Sequence, residues 1–503
     1  MEKDPEQQPR RDESPKRNTG GGGGFGGLGQ LLPFLLMFIF KRPKILIPVL
    51  LLGAAWYFFF GGKEMFSGPV QDDIENYGPS SEFSFGATLS EAEYDKAEVF
   101  EPLSASYGSA ENQLPASVSL LKYAPKRMHQ GEQGSCVGWA SSYAARSILQ
   151  ARATGADPNS MAFSPSYLYN QIALDGCQGA YMNNAMESLL RNGVLPFSKF
   201  GYDDRNCSRL PNSSQAGEAA QFRIKGYNRL SQGASNYGLD MQGLKQHLAQ
   251  GAPVVIGMMV GGTFMHQMVG RSTWQPTQRD YSGYGFSGHA MCAIGYDDNR
   301  KAVQIMNSWG PEWGENGVAW VPYDAFQHFT KEAYGLYPMG SAAKYDPNKM
   351  AVKFGLVENE SQTLIPLQAA GDRVFRTRAP MKPGTRFKVA ITNSIECYVY
   401  VFGQEVDGSS YVLFPYTEKH SPYCGITGTR LFPKDHSMTP DDKGKRDYIA
   451  VVVSKKPLDW NVLNSRINTS RQSTYLQKVR EAIGPDEVPN VKFSAPGAVE
   501  FSC

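Results

Sequence analysis

The chain has 503 residues, of which 41% are hydrophobic and 12% aromatic, and 50 Lys and Arg against 48 Asp and Glu leave a formal charge of +2. That length suits roughly two to four domains, and the apolar content excludes a wholly disordered chain. The balanced charge excludes a nucleic-acid binder built on a global basic field. Seven cysteines without a repeated CxxC pair exclude a disulfide scaffold and structural zinc, so neither a metal nor a cofactor is expected.

Residues 1–44 read as a disordered cytoplasmic tail, polar and then glycine-rich, ending in a short apolar stretch, Leu31 to Phe40, that suits an interfacial segment. Lys41, Arg42, Pro43 and Lys44 separate it from a second apolar run, Ile45 to Phe60. Merging the two would place three cations in hydrocarbon at about 2.5–3.5 kcal/mol each. Residues 45–62 alone give roughly 27 Å of helix at about 1.5 Å per residue, close to a bilayer core of about 30 Å. They are expected to be a transmembrane anchor in contact with the lipid bilayer. The cations before this span, against Lys63 just after it, put the N-terminus in the cytoplasm and the rest of the chain in an extracytoplasmic space, periplasm or cell surface. Residues 63–113 are acidic and serine-rich without sustained periodicity, and read as a linker; an inhibitory propeptide lying in a cleft is the functional alternative.

The segment QGEQGSCVGWA at 130–140 precedes apolar residues spaced three and four apart, which predicts a helix starting near Ser135 or Cys136. A cysteine in a first helical turn meets the positive end of the helix dipole, which favours thiolate and makes Cys136 a candidate nucleophile. Downstream, SGHAMCAIGYDD at 287–298 and VQIMNSWGPEWGENG at 303–317 read as strands carrying His289 and Asn307. A thiolate nucleophile needs a histidine to exchange its proton, and the histidine needs a third group to fix its ring. Cys136, His289 and Asn307 supply those types in that order. Cys292 reads as a buried core residue.

With these motifs in place, the stretch from about Leu114 to Tyr337 resembles the papain-like (C1 type) cysteine peptidases. The resemblance implies that Cys136 is the nucleophile, that His289 is the acid/base, that Asn307 orients it, and that Gln130 donates to the oxyanion. Trp309 and Trp313 shield the His–Asn bond. It also implies a substrate-binding role for Gly179 and Ala180 along a bound peptide's backbone, an apolar pocket near Met258 on PVVIGMM at 253–259 for the side chain two positions before the cut, and a place for Trp309 beside the substrate. A cysteine common in the family three residues before the nucleophile is replaced by Gln133, so the usual disulfide cannot form, and a Cys177–Cys207 pair is a possible bond in its place. No helical propeptide signature is visible in 63–113.

From residue 350 to 503 alternating apolar patterns, with Asp407-Gly408 as a hairpin turn, predict antiparallel strands followed by a helical stretch over roughly 461–483. This looks similar to a β-rich domain of unknown function attached to bacterial proteins, with Cys397 and Cys424 as a second possible disulfide and a protein partner as its possible ligand. The expected architecture is α+β: a transmembrane helix, a two-lobed papain-like domain over 114–345 with a helical and a β-barrel-like lobe, and an antiparallel β-sandwich. The expected function is a membrane-anchored bacterial endopeptidase that acts on polypeptides through a Cys-His-Asn thioester mechanism. A catalytically inactive scaffold and a transpeptidase using the same site are the rivals.

Overall fold

The computed structural model describes residues 83–107, 113–339, 351–440, 443–488, 491–495 and 497–502. The anchor expected at 45–62, the tail before it and residues 63–82 of the linker lie outside the described residues. Among the described residues no helix is long and apolar enough to cross a membrane.

The first lobe is helical. Cys136–Gly138, Trp139–Arg146 and Ser147–Thr154 run on as one helical stretch, its middle part wound as a π-helix and its end closed by Gly155 at φ +72°. The expected start near Ser135 or Cys136 is therefore observed, and the widened turn after it has no signature in apolar spacing. Pro165–Ile172 starts on Ser164, whose hydroxyl accepts from the Tyr167 N–H, with Pro165 supplying the helical φ of a first position. Met182–Arg191 completes the lobe.

The second lobe is a seven-stranded antiparallel sheet. In spatial order its strands are Tyr227–Arg229, Thr330–Leu336, Val254–Val260, Ser287–Asp297, Ala302–Met306 and Val318–Pro322, with Ser117–Ser119 paired to Ser287–Asp297. The central strands are buried on both faces, so VVIGMMV and AMCAIGY read as continuous apolar runs without alternation. Cys292 is part of that core, free and fully buried. Met258 stands opposite His289 in the ladder.

The C-terminal region forms a six-stranded sheet containing Ala351–Glu358, Phe387–Asn393 and Gly428–Phe432, and a four-stranded sheet centred on Cys397–Gln404. Along Cys397–Gln404 successive side chains serve two cores: Val399 and Val401 pack between the sheets, Tyr400 and Phe402 against helices Trp460–Thr469 and Tyr475–Ile483. The Asp407-Gly408 turn joins Cys397–Gln404 to Ser410–Phe414 as expected. The single helix expected over 461–483 is two helices, because Asp459 and Thr474 each cap a separate start. Cys397 and Cys424 stand opposite one another in the ladder and are both free, so the bond offered as possible is not formed. Cys177 and Cys207 are bonded.

Residues 83–107 are not a free tether. They pass over the first lobe, form the single helical turn Glu91–Tyr94, and then run between the seven-stranded sheet and the C-terminal region. Its buried apolar side chains include Phe83, Tyr94, Val99, Phe100 and Leu103, and the carboxylate Glu101 is buried with them.

Candidate active site

Cys136 begins the helical stretch and His289 lies on the adjoining strand, so the two lobes bring them together. The N–H of Ala290, next to His289, donates to Cys136 Sγ at 3.3 Å. His289 Nε2 and Asn307 Oδ1 are 2.8 Å apart. The same Oδ1 accepts from the Ser308 N–H at 2.7 Å, which identifies it as the oxygen and makes Nε2 the protonated ring nitrogen. Nδ1 is then a buried base with no hydrogen-bond partner among the described residues. Trp309 stacks on the His289 ring with centroids 4.3 Å apart, and Trp313 meets Trp309 edge-on, so the His–Asn bond is covered by indole on one side.

Gln130 is oriented as an oxyanion donor requires. Its Oε1 accepts from the Ser308 hydroxyl at 2.6 Å, which turns Nε2 towards the cleft, where it donates to the Gln133 carbonyl at 2.9 Å and lies 3.4 Å from the Phe85 carbonyl. The four residues singled out from the sequence, Gln130, Cys136, His289 and Asn307, thus converge.

The cleft is full. Ala180 donates to the Gly86 carbonyl at 2.9 Å and accepts from the Thr88 N–H at 3.1 Å, while the Ala87 N–H donates to Gly288 O at 3.2 Å and also approaches Cys136 Sγ. Trp309 Nε1 donates to Ser84 O at 2.9 Å, Phe83 stacks on Trp309 and Phe85 meets His289 edge-on. Gly179, Ala180 and Trp309, expected beside a substrate, are contacted by the chain's own segment. Met258 is fully buried. Gly86 permits this path: at φ +147°, a Cβ there would stand 2.0 Å from the Gly134 carbonyl oxygen.

Burial acts on both reactive groups. Burial pushes the Cys136 thiol up to about 12, against the opposing pull of the N–H groups of Ala290, Val137, Cys136 itself and Ala87. Burial pushes His289 down to about 4, only partly offset by the bond to Asn307. Burial thus opposes both the thiolate that the helix position favours and the imidazolium that would pair with it.

One residue of the site was missed. Leu89 enters a pocket bounded by Met182, Gly257, Gly288 and Glu332, where a Cβ on Gly257 would lie 2.5 Å from Leu89 Cδ2 and 3.6 Å from Glu332 Cβ. Glu332 Oε1 accepts from the Ser90 N–H at 2.7 Å and Oε2 from the Tyr334 hydroxyl at 3.0 Å, and burial pushes its carboxyl up to about 7. The pocket expected to be wholly apolar therefore holds an acid able to receive a cationic side chain when ionised and an apolar one when protonated. Its signal was a lone carboxylate in the otherwise buried strand TKEAYGL.

Residues 121–338 match the family model for papain family cysteine proteases. Curated proteins similar to the chain include an uncharacterized peptidase C1-like protein of Acanthamoeba polyphaga mimivirus, 29% identical over 211 residues, 40% of this chain and 66% of that protein. A cathepsin B-like protein, CP2, of Giardia intestinalis is 28% identical over 197 residues, 38% of this chain and 62% of its own length. The chain thus spans just under two thirds of these relatives. Among solved structures, xylellain, a cysteine protease from Xylella fastidiosa, aligns over 52% of this chain and 96% of its own with a TM-score of 0.41 and 22% identity.

Proposed function

Because residues 121–338 form a domain of the papain family of cysteine proteases, we propose that the protein is a latent cysteine endopeptidase whose own residues 83–90 close its cleft. The observation that carries the reading is the convergence of Cys136 with His289, itself fixed by Asn307 at 2.8 Å, and with Gln130. Departure of residues 83–90 readmits water, which lowers the cost of charging both groups. The Cys136 proton then passes to His289 Nδ1 and the thiolate attacks the carbonyl carbon of a substrate peptide bond. The carbonyl oxygen gains the negative charge and takes hydrogen bonds from the Cys136 N–H and Gln130 Nε2; a donor of this kind is worth about 2.7–4 kcal/mol of barrier. As the C–N bond breaks, the Nδ1 proton goes to the leaving amine, leaving a thioester. A water molecule gives its proton to Nδ1 while its oxygen attacks the thioester carbon, the C–S bond breaks to release the acid product, and the Nδ1 proton returns to Cys136 Sγ.

The chain is further read as a bacterial-type, single-pass membrane protein with the peptidase and C-terminal domains outside the cytoplasm. This rests on the 18 uncharged, mostly apolar residues at 45–62 and on Lys41, Arg42 and Lys44 before them. The Cys177–Cys207 bond is in keeping with an oxidising space.

The test is hydrolysis of a fluorogenic peptide amide by full-length protein carrying Gly86→Ala, which opens the cleft. Activity is expected there and its loss on adding Cys136→Ala. Equal hydrolysis with and without Cys136 would sink the assignment.

A further inference from the structure

Latency through residues 83–90 raises the question of what holds that segment down, and the same stretch of chain supplies an answer a few residues on. Val99 lies between two partners. Its N–H donates to Lys419 O at 2.6 Å and its carbonyl accepts from the Ser421 N–H at 3.1 Å, both in the C-terminal domain. Its neighbours bond the edge of the peptidase sheet instead: the Phe100 N–H donates to Arg229 O at 3.0 Å, and the Arg229 N–H to Glu98 O at 2.9 Å. Residues 98–100 are thus a strand shared by the two domains.

Side chains fasten it on both flanks. Arg430, buried to 1% exposure, donates from Nη1 to Asn393 Oδ1 and from Nη2 to Ile426 O within its own domain, and its remaining Nε donates to Glu101 O at 2.9 Å. The Ser104 N–H donates to Thr429 O at 2.8 Å. Asp95 bridges Lys419 of the C-terminal domain and Arg229 of the peptidase. On the peptidase side Gln246 receives the Leu103 N–H and donates to its carbonyl. Between the last cleft contact, Ser90 to Glu332, and the first seam contact, Asp95, stands only the helical turn Glu91–Tyr94, itself pinned by the Tyr94 hydroxyl on Ala333 O. A displacement at the seam has no slack in which to be absorbed.

We infer that the C-terminal β domain is a binding module for the chain's own residues 95–104 and that this binding locks residues 83–90 over Cys136. The inference rests on the latent-peptidase reading. It gives the accessory domain a task in regulation: whatever detaches it from the seam exposes the nucleophile.

The experiment measures labelling of Cys136 by an epoxysuccinyl reagent in full-length protein, followed by intact mass, with hydrogen exchange of residues 83–107 alongside. Two lock variants are compared, Arg430→Ala and the paired change Asp95→Ala with Lys419→Ala. The reference is Leu89→Asp, which sets a carboxylate against Glu332 and ejects the segment without touching the seam. The inference expects both lock variants to label at least tenfold faster than wild type, with faster exchange over residues 83–90. If exchange quickens at 95–104 while labelling and exchange at 83–90 stay at wild-type rates, and Leu89→Asp still labels faster, the β domain is not the lock and the latent reading survives. If Leu89→Asp also labels at the wild-type rate, the latent reading fails and takes the lock with it. Should Arg430→Ala unfold, the paired surface change decides alone.

Discussion

Gly86→Ala is the sharpest perturbation of the closed cleft, because it adds one methyl group and removes no contact. At φ +147° an alanine is strained by about 1–3 kcal/mol, and its Cβ would meet the Gly134 carbonyl oxygen at 2.0 Å, inside any real contact distance. The oxygen belongs to the backbone just before the nucleophile, hydrogen-bonded through neighbours Gln133 and Ser135, so it cannot step aside as a flexible side chain would. Taking about 2–3 kcal/mol as the loss to the closed state alone, the open fraction rises roughly 30- to 150-fold at about 1.4 kcal/mol per decade. The labelling rate of Cys136 should follow it, since the thiol is held near 12 when covered and becomes reactive only when water returns. The assay is the rate of adduct formation on full-length protein at fixed reagent, with circular dichroism to confirm the fold. A folded Gly86→Ala protein labelling at the wild-type rate would refute the view that residues 83–90 gate the nucleophile.

Other expectations concern pH and redox state. Burial pushes Glu101 up to about 8, despite Arg430, Lys434 and the Tyr416 hydroxyl, with Asp435 adding to the rise. A raised acid stabilises the seated segment fully below its ordinary value of 4.5, and that contribution is lost as pH climbs through about 8. His289, pushed down to about 4 when covered, favours opening as pH falls below its ordinary 6.5, so the rise is read above that value. Opening, measured by exchange of residues 83–90, should increase from about pH 6.5 to 8, and Glu101→Gln should flatten part of the rise, leaving the share due to Glu332; a wild-type profile flat over that window would contradict this. Reduction of Cys177–Cys207, which spans 30 residues of sequence, should lower stability by about 3–4 kcal/mol by loop-closure entropy. A denaturant titration with and without reductant measures it, and a Cys397→Ser protein should respond to reductant as wild type does.

The chemistry was legible because it is written in side chains. A thiol before a helical pattern, a histidine opening a strand, and an asparagine flanked by Ser, Trp and Gly are residue types with few other uses at such positions. Residues 83–90 were read first as linker, with an inhibitory segment lying in a cleft only as the alternative, for the opposite reason. They bind through Gly86 O, Ala87 N–H and Thr88 N–H, groups every chain possesses, and their seat depends on the absence of a side chain at Gly86. The burial that opposes a Cys136 thiolate was not legible because the helix position is read locally, while the residues that cover the thiol come from distant parts of the chain. Glu332 was passed over inside a strand whose other members are mostly core. In the C-terminal domain the strand alternation identified the sheet but not its two cores, since a strand covered on one face and on both faces differs only in which partner each side receives. Cys397 and Cys424 show the limit of pairing arguments, being ladder neighbours without a bond.

That the occupant of the cleft is covalently part of the protein changes how it competes. A segment tethered a few residues from a fixed strand has an effective concentration on the order of millimolar at its site, set by chain geometry and independent of how much protein is present. Dilution therefore cannot release it, and the fraction of open molecules is the same in a nanomolar assay as on a crowded surface. A polypeptide arriving from outside with micromolar affinity for the same groove meets an incumbent it cannot outbid by mass action alone.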